Sequence, residues 1–234
     1  MTTLVLIPGL AADHRMWLAQ QRDLGARWPT AVASAHQACD SISAMAQAVL
    51  GEFDGELVLC GASMGGMVAL EAVRLAPSRV RGLALLGTLA HPESPEMYQL
   101  RSDAIALFEQ GQAHEIIRAN VALAFHPDHA ADPALTALYL EMVLSAGIQT
   151  LIRQNRAVMA RPDARVHLAQ IACPTLVLCG DADQLTPPEH SREIAAHIAG
   201  ARLALIQRSG HMLTMEQPDE VNRLLRDWIE AAGL

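Results

Sequence analysis

Five short runs of Val, Leu, Ile and small residues recur along the chain, at 3–7, 57–60, 82–86, 175–179 and 203–206, each bounded by Gly, Pro or charged residues. Such runs lack the alternation of a half-exposed strand and suit parallel strands buried on both faces. A weaker candidate lies at 31–33. Between them, helical periodicity marks 42–53 behind an Asp40 or Ser41 cap, Met64–Leu75 stopped by Pro77, 189–198, and Pro218–Ala232. Strand alternating with helix builds right-handed βαβ units. The expected fold class is therefore α/β, an open, mostly parallel sheet of about six strands flanked by helices.

Between the strand ending near Leu86 and the one starting at Thr175 the alternation lapses. Ser94-Pro95-Glu96 reads as an N-cap followed by proline at the first helical position, and helical patterns then run to about Met159, interrupted at 125–133 and at Gly147. We expect a helical cap insertion at approximately 92–165, placed at one end of the sheet as a packing cap or a gated lid. No linker, repeat or low-complexity segment breaks the 234 residues, so residues 1–234 are expected to form a single domain. Hydrophobic residues make up 51% of the chain and aromatics 3%, so aliphatic side chains and Ala must fill the core.

A formal net charge of −8 with scattered arginines supplies no basic stripe to release counterions from a phosphate backbone, which excludes nucleic acid and disfavours acidic membranes as partners. All seventeen basic residues are Arg, which removes Schiff-base catalysis, pyridoxal phosphate attachment and any lysine-bearing phosphate loop. Cys39, Cys60, Cys173 and Cys179 show no C-x-x-C spacing, and the last three lie in apolar runs that read as buried strands, so all four are expected to be reduced. No basic segment precedes the first apolar run, and the uncharged run 57–70 carries Gly61, Gly65 and Gly66 and is too short to span a bilayer. A soluble cytoplasmic protein without a membrane partner is expected.

The strongest chemical signal is the passage from the run at 57–60 through Gly61-Ala62-Ser63-Met64-Gly65 into the helix Met64–Leu75. A nucleophile on so sharp a strand-to-helix turn needs small neighbours, because side chains at Gly61 and Gly65 would clash within the turn. The turn lifts the Ser63 hydroxyl clear of the sheet and sets the Met64 amide at a helix N-terminus, where unpaired N–H groups favour a developing oxyanion. By itself G-x-S-x-G is a common string. It gains meaning from an acid and a histidine that follow later strands in the order Ser, acid, His.

Both are present. After the run at 175–179 come Asp181 and Asp183, either of which could fix an imidazole tautomer, and after the run at 203–206 comes Ser209-Gly210-His211. Among ten histidines, His211 stands out because one loop beyond the last strand brings it to the sheet edge that carries Ser63. A second oxyanion donor is expected from the loop after the first strand, where Gly9 lets the backbone approach and the Leu10 amide is the candidate. Pro8-Gly9 is also an ordinary turn signal.

These segments resemble the α/β-hydrolase fold superfamily, and its small esterase-like members in particular. The resemblance runs from LVLIPGL through GASMGG and CPTLVLCGDADQLTPP to SGHMLTMEQPDEVNRLLRDWI. It implies Asp183, three residues after Gly180, as the acid, and His211 as the base. Three departures stand out: Pro8-Gly9 replaces the family's His-Gly, 35–40 replaces its Asp-x-x-Gly-x-Gly segment, and the chain opens on what is the third strand of the full fold, so the first two strands are expected to be missing.

The expected reaction is hydrolysis of a carboxylic ester with a small or medium apolar acyl group, through a Ser63, His211, Asp183 triad and an acyl-enzyme, with a small-molecule ester as partner and no metal or organic cofactor. Thioester, lactone or carbon–carbon cleavage by the same triad is the alternative, and a non-catalytic ligand-binding protein on this fold is a rival of another class. Met16, Trp17, Met67, Met142, Met159 and Leu213 are the candidate lining of an apolar acyl pocket. His126-Pro127-Asp128-His129 reads as a solvated loop rather than a metal site.

Overall fold

In the computed structural model, which describes residues 2–234, the apolar runs become strands β1 (Thr3–Ile7), β2 (Thr30–Val32), β3 (Leu57–Ala62), β4 (Val80–Leu86), β5 (Thr175–Gly180) and β6 (Arg202–Ile206). They form one sheet in the order β2-β1-β3-β4-β5-β6, every neighbouring pair parallel. Helix α1 (Leu18–Leu24) follows β1, α2 (Ile42–Glu52) follows β2 and α3 (Met64–Leu75) follows β3. Between β4 and β5 lie α4 (Pro95–Glu109), α5 (Ala113–Ala124), α6 (Pro127–Ala130), α7 (Pro133–Ser145), α8 (Ile148–Met159) and α9 (Arg165–Leu168). Helix α10 (Pro188–His197) joins β5 to β6, and α11 (Leu213–Glu216) and α12 (Pro218–Ala232) follow β6.

Alternate side chains of each strand enter opposite layers. Leu4, Leu6, Val58, Cys60, Leu86, Leu176 and Leu178 pack with α1, α12 and the cap helices α4, α5, α7 and α8, whereas Val5, Ile7, Leu57, Leu59, Leu83, Leu85 and Val177 pack with α2, α3 and α10. Because both layers are apolar, the central strands carry no polar alternation, and this is what made them visible as continuous runs. The few aromatics concentrate at the centre: Trp17, Trp228 and Phe125 are among the largest fully buried side chains.

The chain leaves β1 for β2 on one side and returns to β3 on the other. Such a reversal opens a crevice at the C-terminal ends of the strands, the usual ligand position of an open α/β sheet. The loops after β1, β3, β5 and β6 carry Leu10, Ser63, Asp183 and His211 to this edge. Cap helices α4 to α8 arise from the same edge after β4, and the two ends of the excursion meet, ahead of α9, where Ala164 N donates to Ala90 O at 2.8 Å.

Several expectations need correction. Strand β6 is not buried on both faces: as the outermost strand it leaves Arg202 and Leu203 exposed and only Ile206 buried. Cys173 lies ahead of β5 and is half-buried rather than inside a buried strand. Residues 125–133 are not an open loop, since α6 forms within them and the His126 ring caps it by accepting from Asp128 N. Helix α1, with the 3-10 turn His14–Trp17 before it, carried no periodic signal of its own. The N-cap of α2 is Ser41, and Ser94 caps α4 with Pro95 in the first turn. Among the described residues no single helix is long and apolar enough to cross a membrane.

Candidate active site

Ser63 joins β3 to α3 with φ +53° and ψ −119°, a conformation that costs a non-glycine residue about 1–3 kcal/mol. Its surroundings over-determine it. Ser63 N donates to Leu86 O at 2.9 Å, Thr88 Oγ1 donates to Ser63 O at 2.7 Å, and Gly66 N donates to the same carbonyl at 2.9 Å. The motif glycines follow from close packing: a Cβ on Gly61 would overlap the Gly65 carbonyl, and one on Gly65 would overlap the carbonyl of Ile7 and approach that of Pro8 to 2.7 Å.

Gly9 lies against the serine, where a Cβ would come 3.3 Å from Ser63 Cβ and 3.9 Å from Ser63 Oγ. Gly9 thus brings the loop that continues into Leu10 against the elbow from which α3 begins at Met64. Neither the Leu10 nor the Met64 amide donates to a protein acceptor among the described residues.

Of the two candidate acids, the geometry joins only one to the imidazole. His211 Nδ1 lies 2.9 Å from Asp183 Oδ2 and 3.1 Å from Oδ1, whereas Asp181 accepts Ser209 N at 3.2 Å. The Asp183 carboxylate also accepts Leu185 N, Thr186 N and Thr186 Oγ1, each at 2.9 Å. As an ionised carboxylate only accepts, the imidazole Nδ1 carries its proton and Nε2 is left with a lone pair.

Electrostatics agree with this pairing. Burial opposes the Asp183 charge, but the facing imidazolium, its hydrogen bond and those from Thr186 outweigh burial and hold the carboxyl below its ordinary value. Burial likewise opposes protonation of His211, yet the charge and hydrogen bond of Asp183, with Glu216 behind, raise its pKa against the opposing Arg101.

Ser63 and His211 flank one segment of chain. Leu86 and Thr88 bond the serine backbone, and a Cβ on the intervening Gly87, φ +49°, would lie 3.1 Å from Asp183 Oδ2 and 3.5 Å from His211 Nδ1. No Ser63–His211 hydrogen bond forms among the described residues. Hydrogen bonds between a nucleophile and its base are often long or unformed in enzymes free of substrate.

The expected pocket set divides between the layers. Met16, Trp17, Met142 and Leu213 are buried in the layer shared by sheet and cap, with Met159 at its margin. Met67 instead lies in the opposite layer with Ile42 and Met45, because α3 packs its length between that face of the sheet and α2. His126 N and His129 Nδ1 both meet Glu216 Oε2, at 2.8 and 3.1 Å, and no set of three metal-ligating side chains converges among the described residues.

Four residues near the site were not among the site residues expected from sequence. Thr186 bridges Asp183 and His211, Thr88 braces the elbow, Glu216 accepts Gly210 N beside the imidazole at 2.9 Å, and Gln154 of the cap accepts Ala11 N at 2.7 Å. Thr186 could have been suspected, since it follows the acid by three residues. The others become partners only through folding.

The parallel sheet, the strained serine elbow at its C-terminal edge and the layered helices are those of the α/β-hydrolase fold. The chain belongs to the family described as serine aminopeptidase, S33, whose model matches residues 21–218. It is 27% identical to a pimeloyl-[acyl-carrier protein] methyl ester esterase of Neisseria meningitidis serogroup C, over 96% of this chain and 92% of that protein. Among solved structures, a thermophilic esterase from Thermogutta terrifontis superposes with a TM-score of 0.90 at 27% identity, covering 99% of this chain and 90% of that one. An enol-lactonase from Burkholderia xenovorans LB400 shares the fold with a TM-score of 0.90 at 24% identity, covering 98% and 91%.

Proposed function

We propose that this chain is a serine hydrolase that cleaves a carboxylic ester of a small or medium apolar acyl group. The observation that carries the reading is the His211–Asp183 pair, held at 2.9 Å beside the same Gly87 segment that braces Ser63. Similarity to a methyl ester esterase supports an ester as the bond cleaved. Met16, Trp17, Met142, Met159 and Leu213 supply an apolar layer suited to the acyl chain. The four cysteines are free, which fits a reducing cytoplasm.

In this mechanism His211 Nε2 removes the Ser63 proton as the alkoxide attacks the acyl carbonyl, and the amides of Leu10 and Met64 hold the oxyanion. Collapse of the tetrahedral adduct breaks the ester C–O bond, and the departing alcohol takes the proton from His211. Water then attacks the acyl-enzyme with His211 as base, releasing the carboxylic acid and restoring Ser63.

The test uses p-nitrophenyl esters of rising chain length beside acyl-thioesters and lactones, with the wild type and Ser63→Ala. Turnover of the esters and labelling by a fluorophosphonate are expected for the wild type and lost in the variant. Undiminished turnover in Ser63→Ala would end the proposal, and preference for thioesters or lactones would redirect the substrate class.

A further inference from the structure

Gln154 belongs to cap helix α8 and is 1% exposed, yet its Oε1 reaches across to accept the backbone amide of Ala11 at 2.7 Å. Ala11 stands at φ +52°, in the left-handed region that a non-glycine residue occupies only under constraint, and it is itself 2% exposed. A buried amide there has to find an acceptor, and Gln154 is the one it has. The next residue is held from the other direction: Gln37 Nε2 donates to Ala12 O at 3.3 Å, and Gln37 O in turn accepts Arg153 Nη2 of α8 at 2.8 Å. Two successive cap residues thus grip the loop that follows β1.

We propose that Gln154 is a positioning residue for the oxyanion loop, its side-chain oxygen fixing Ala11 so that the preceding Leu10 amide points at the substrate carbonyl. The inference rests on the reading of Ser63 as nucleophile and Leu10 as oxyanion donor. The cap is then a brace rather than a swinging lid, and its other end behaves alike. Ala124 O, at the end of α5, accepts His211 N at 2.9 Å and Met212 N at 3.1 Å, so helices of one insertion hold both the oxyanion loop and the histidine loop. A donor fixed before substrate arrives needs no reorganisation as charge develops, and that is where its catalytic value lies.

Gln154→Met keeps the length of the side chain and removes the acceptor, while Gln154→Asn keeps the amide but withdraws it by one methylene. For each, kcat and KM on a p-nitrophenyl ester, inhibition by an alkyl boronic acid, and hydrogen exchange at the Ala11 amide are measured. The expected result is a fall in kcat of about 10- to 100-fold, smaller than loss of a whole donor, with KM within about threefold. The boronic acid Ki rises in step with the fall in kcat, and the Ala11 amide loses protection. A folded variant with wild-type kcat, an equal loss of ground-state and boronate binding, or an Ala11 amide protected as in the wild type overturns the proposal. Wild-type protein that neither turns over esters nor takes the fluorophosphonate label sinks the hydrolase reading instead, and the exchange measurement, which needs no turnover, then decides the bracing role alone.

Discussion

Asp183 and His211 form an enclosed pair: the aspartate side chain has no exposed surface, the imidazole is 9% exposed, and Nδ1 lies 2.9 Å from Oδ2. The imidazole pKa is raised above its ordinary 6.5 and the carboxyl is held below 3.8. The base must be neutral to act, so kcat/KM is expected to rise with pH through a midpoint above 6.5. A flat acid limb contradicts His211 as base, and a midpoint below that value contradicts the net pull of Asp183 on the imidazole.

The same shifts act on stability with opposite signs. A raised histidine stabilises fully below 6.5 and loses that contribution as pH climbs through its folded value, whereas a lowered aspartate stabilises above 3.8 and loses it as pH falls. The pair therefore contributes most between those two values, where the base is protonated and turnover is weakest. Thermal unfolding of the wild type against Asp183→Asn across pH should show the largest gap in this acidic window. A gap that widens toward alkaline pH counts against the pairing.

Asp183→Asn and Asp181→Asn separate the two aspartates of one loop. Loss of the acid that orients the imidazole is expected to lower kcat about 10³- to 10⁴-fold, since the amide favours the wrong tautomer. Asp181 accepts only Ser209 N, at 3.2 Å, and its replacement should cost less than about 1 kcal/mol of stability and little activity. Equal activity losses in the two variants would refute the assignment.

Glu216 is a buried carboxylate that accepts Gly210 N at 2.9 Å, His126 N at 2.8 Å and His129 Nδ1 at 3.1 Å. Glu216→Ala orphans the Gly210 amide in the loop that carries His211 and the His126 amide between α5 and α6, at a cost of about 2–4 kcal/mol. Calorimetry should record a drop in Tm of roughly 4–16 °C for a chain of this size. An unchanged Tm would show that the loop holds itself.

Glu93 is sandwiched by Arg101 at 2.7 Å and Arg161 at 2.9 Å, with side-chain exposures of 5% for the carboxylate and 3% for Arg161. Glu93→Ala leaves the enclosed Arg161 guanidinium, and the partly exposed Arg101 beside it, without their shared carboxylate and should cost about 3 kcal/mol. The solvent-exposed pair Arg223–Glu220, at 2.7 Å, serves as control, and Glu220→Ala is expected to cost at most about 0.5 kcal/mol. Denaturant unfolding checks both, and similar losses would contradict the distinction.

Much of this architecture is written locally. An aliphatic run such as 175–179 reads as a central strand because both its faces are buried, and β5 forms there as Thr175–Gly180. Ser63 was legible from its glycines, since the close approach they permit is a property of the turn itself. Strand β6 has the same aliphatic spelling but ends the sheet, and whether Leu203 is covered depends on which strand lies outermost.

The layer that receives Met67 and the partners of Glu216 and Gln154 were decided by tertiary structure alone, whereas Asp183, left open beside Asp181 by the residues themselves and implied by the family resemblance, is the aspartate that meets His211. Local propensity and apolar patterning act over a few residues, within reach of the chain's own periodicity. A hydrogen bond from Ala11 to Gln154 joins residues 143 positions apart, and nothing in either neighbourhood encodes the other. Local spelling placed the strands, most of the helices and the strained serine, and only their packing into one sheet edge decided which side chains meet there.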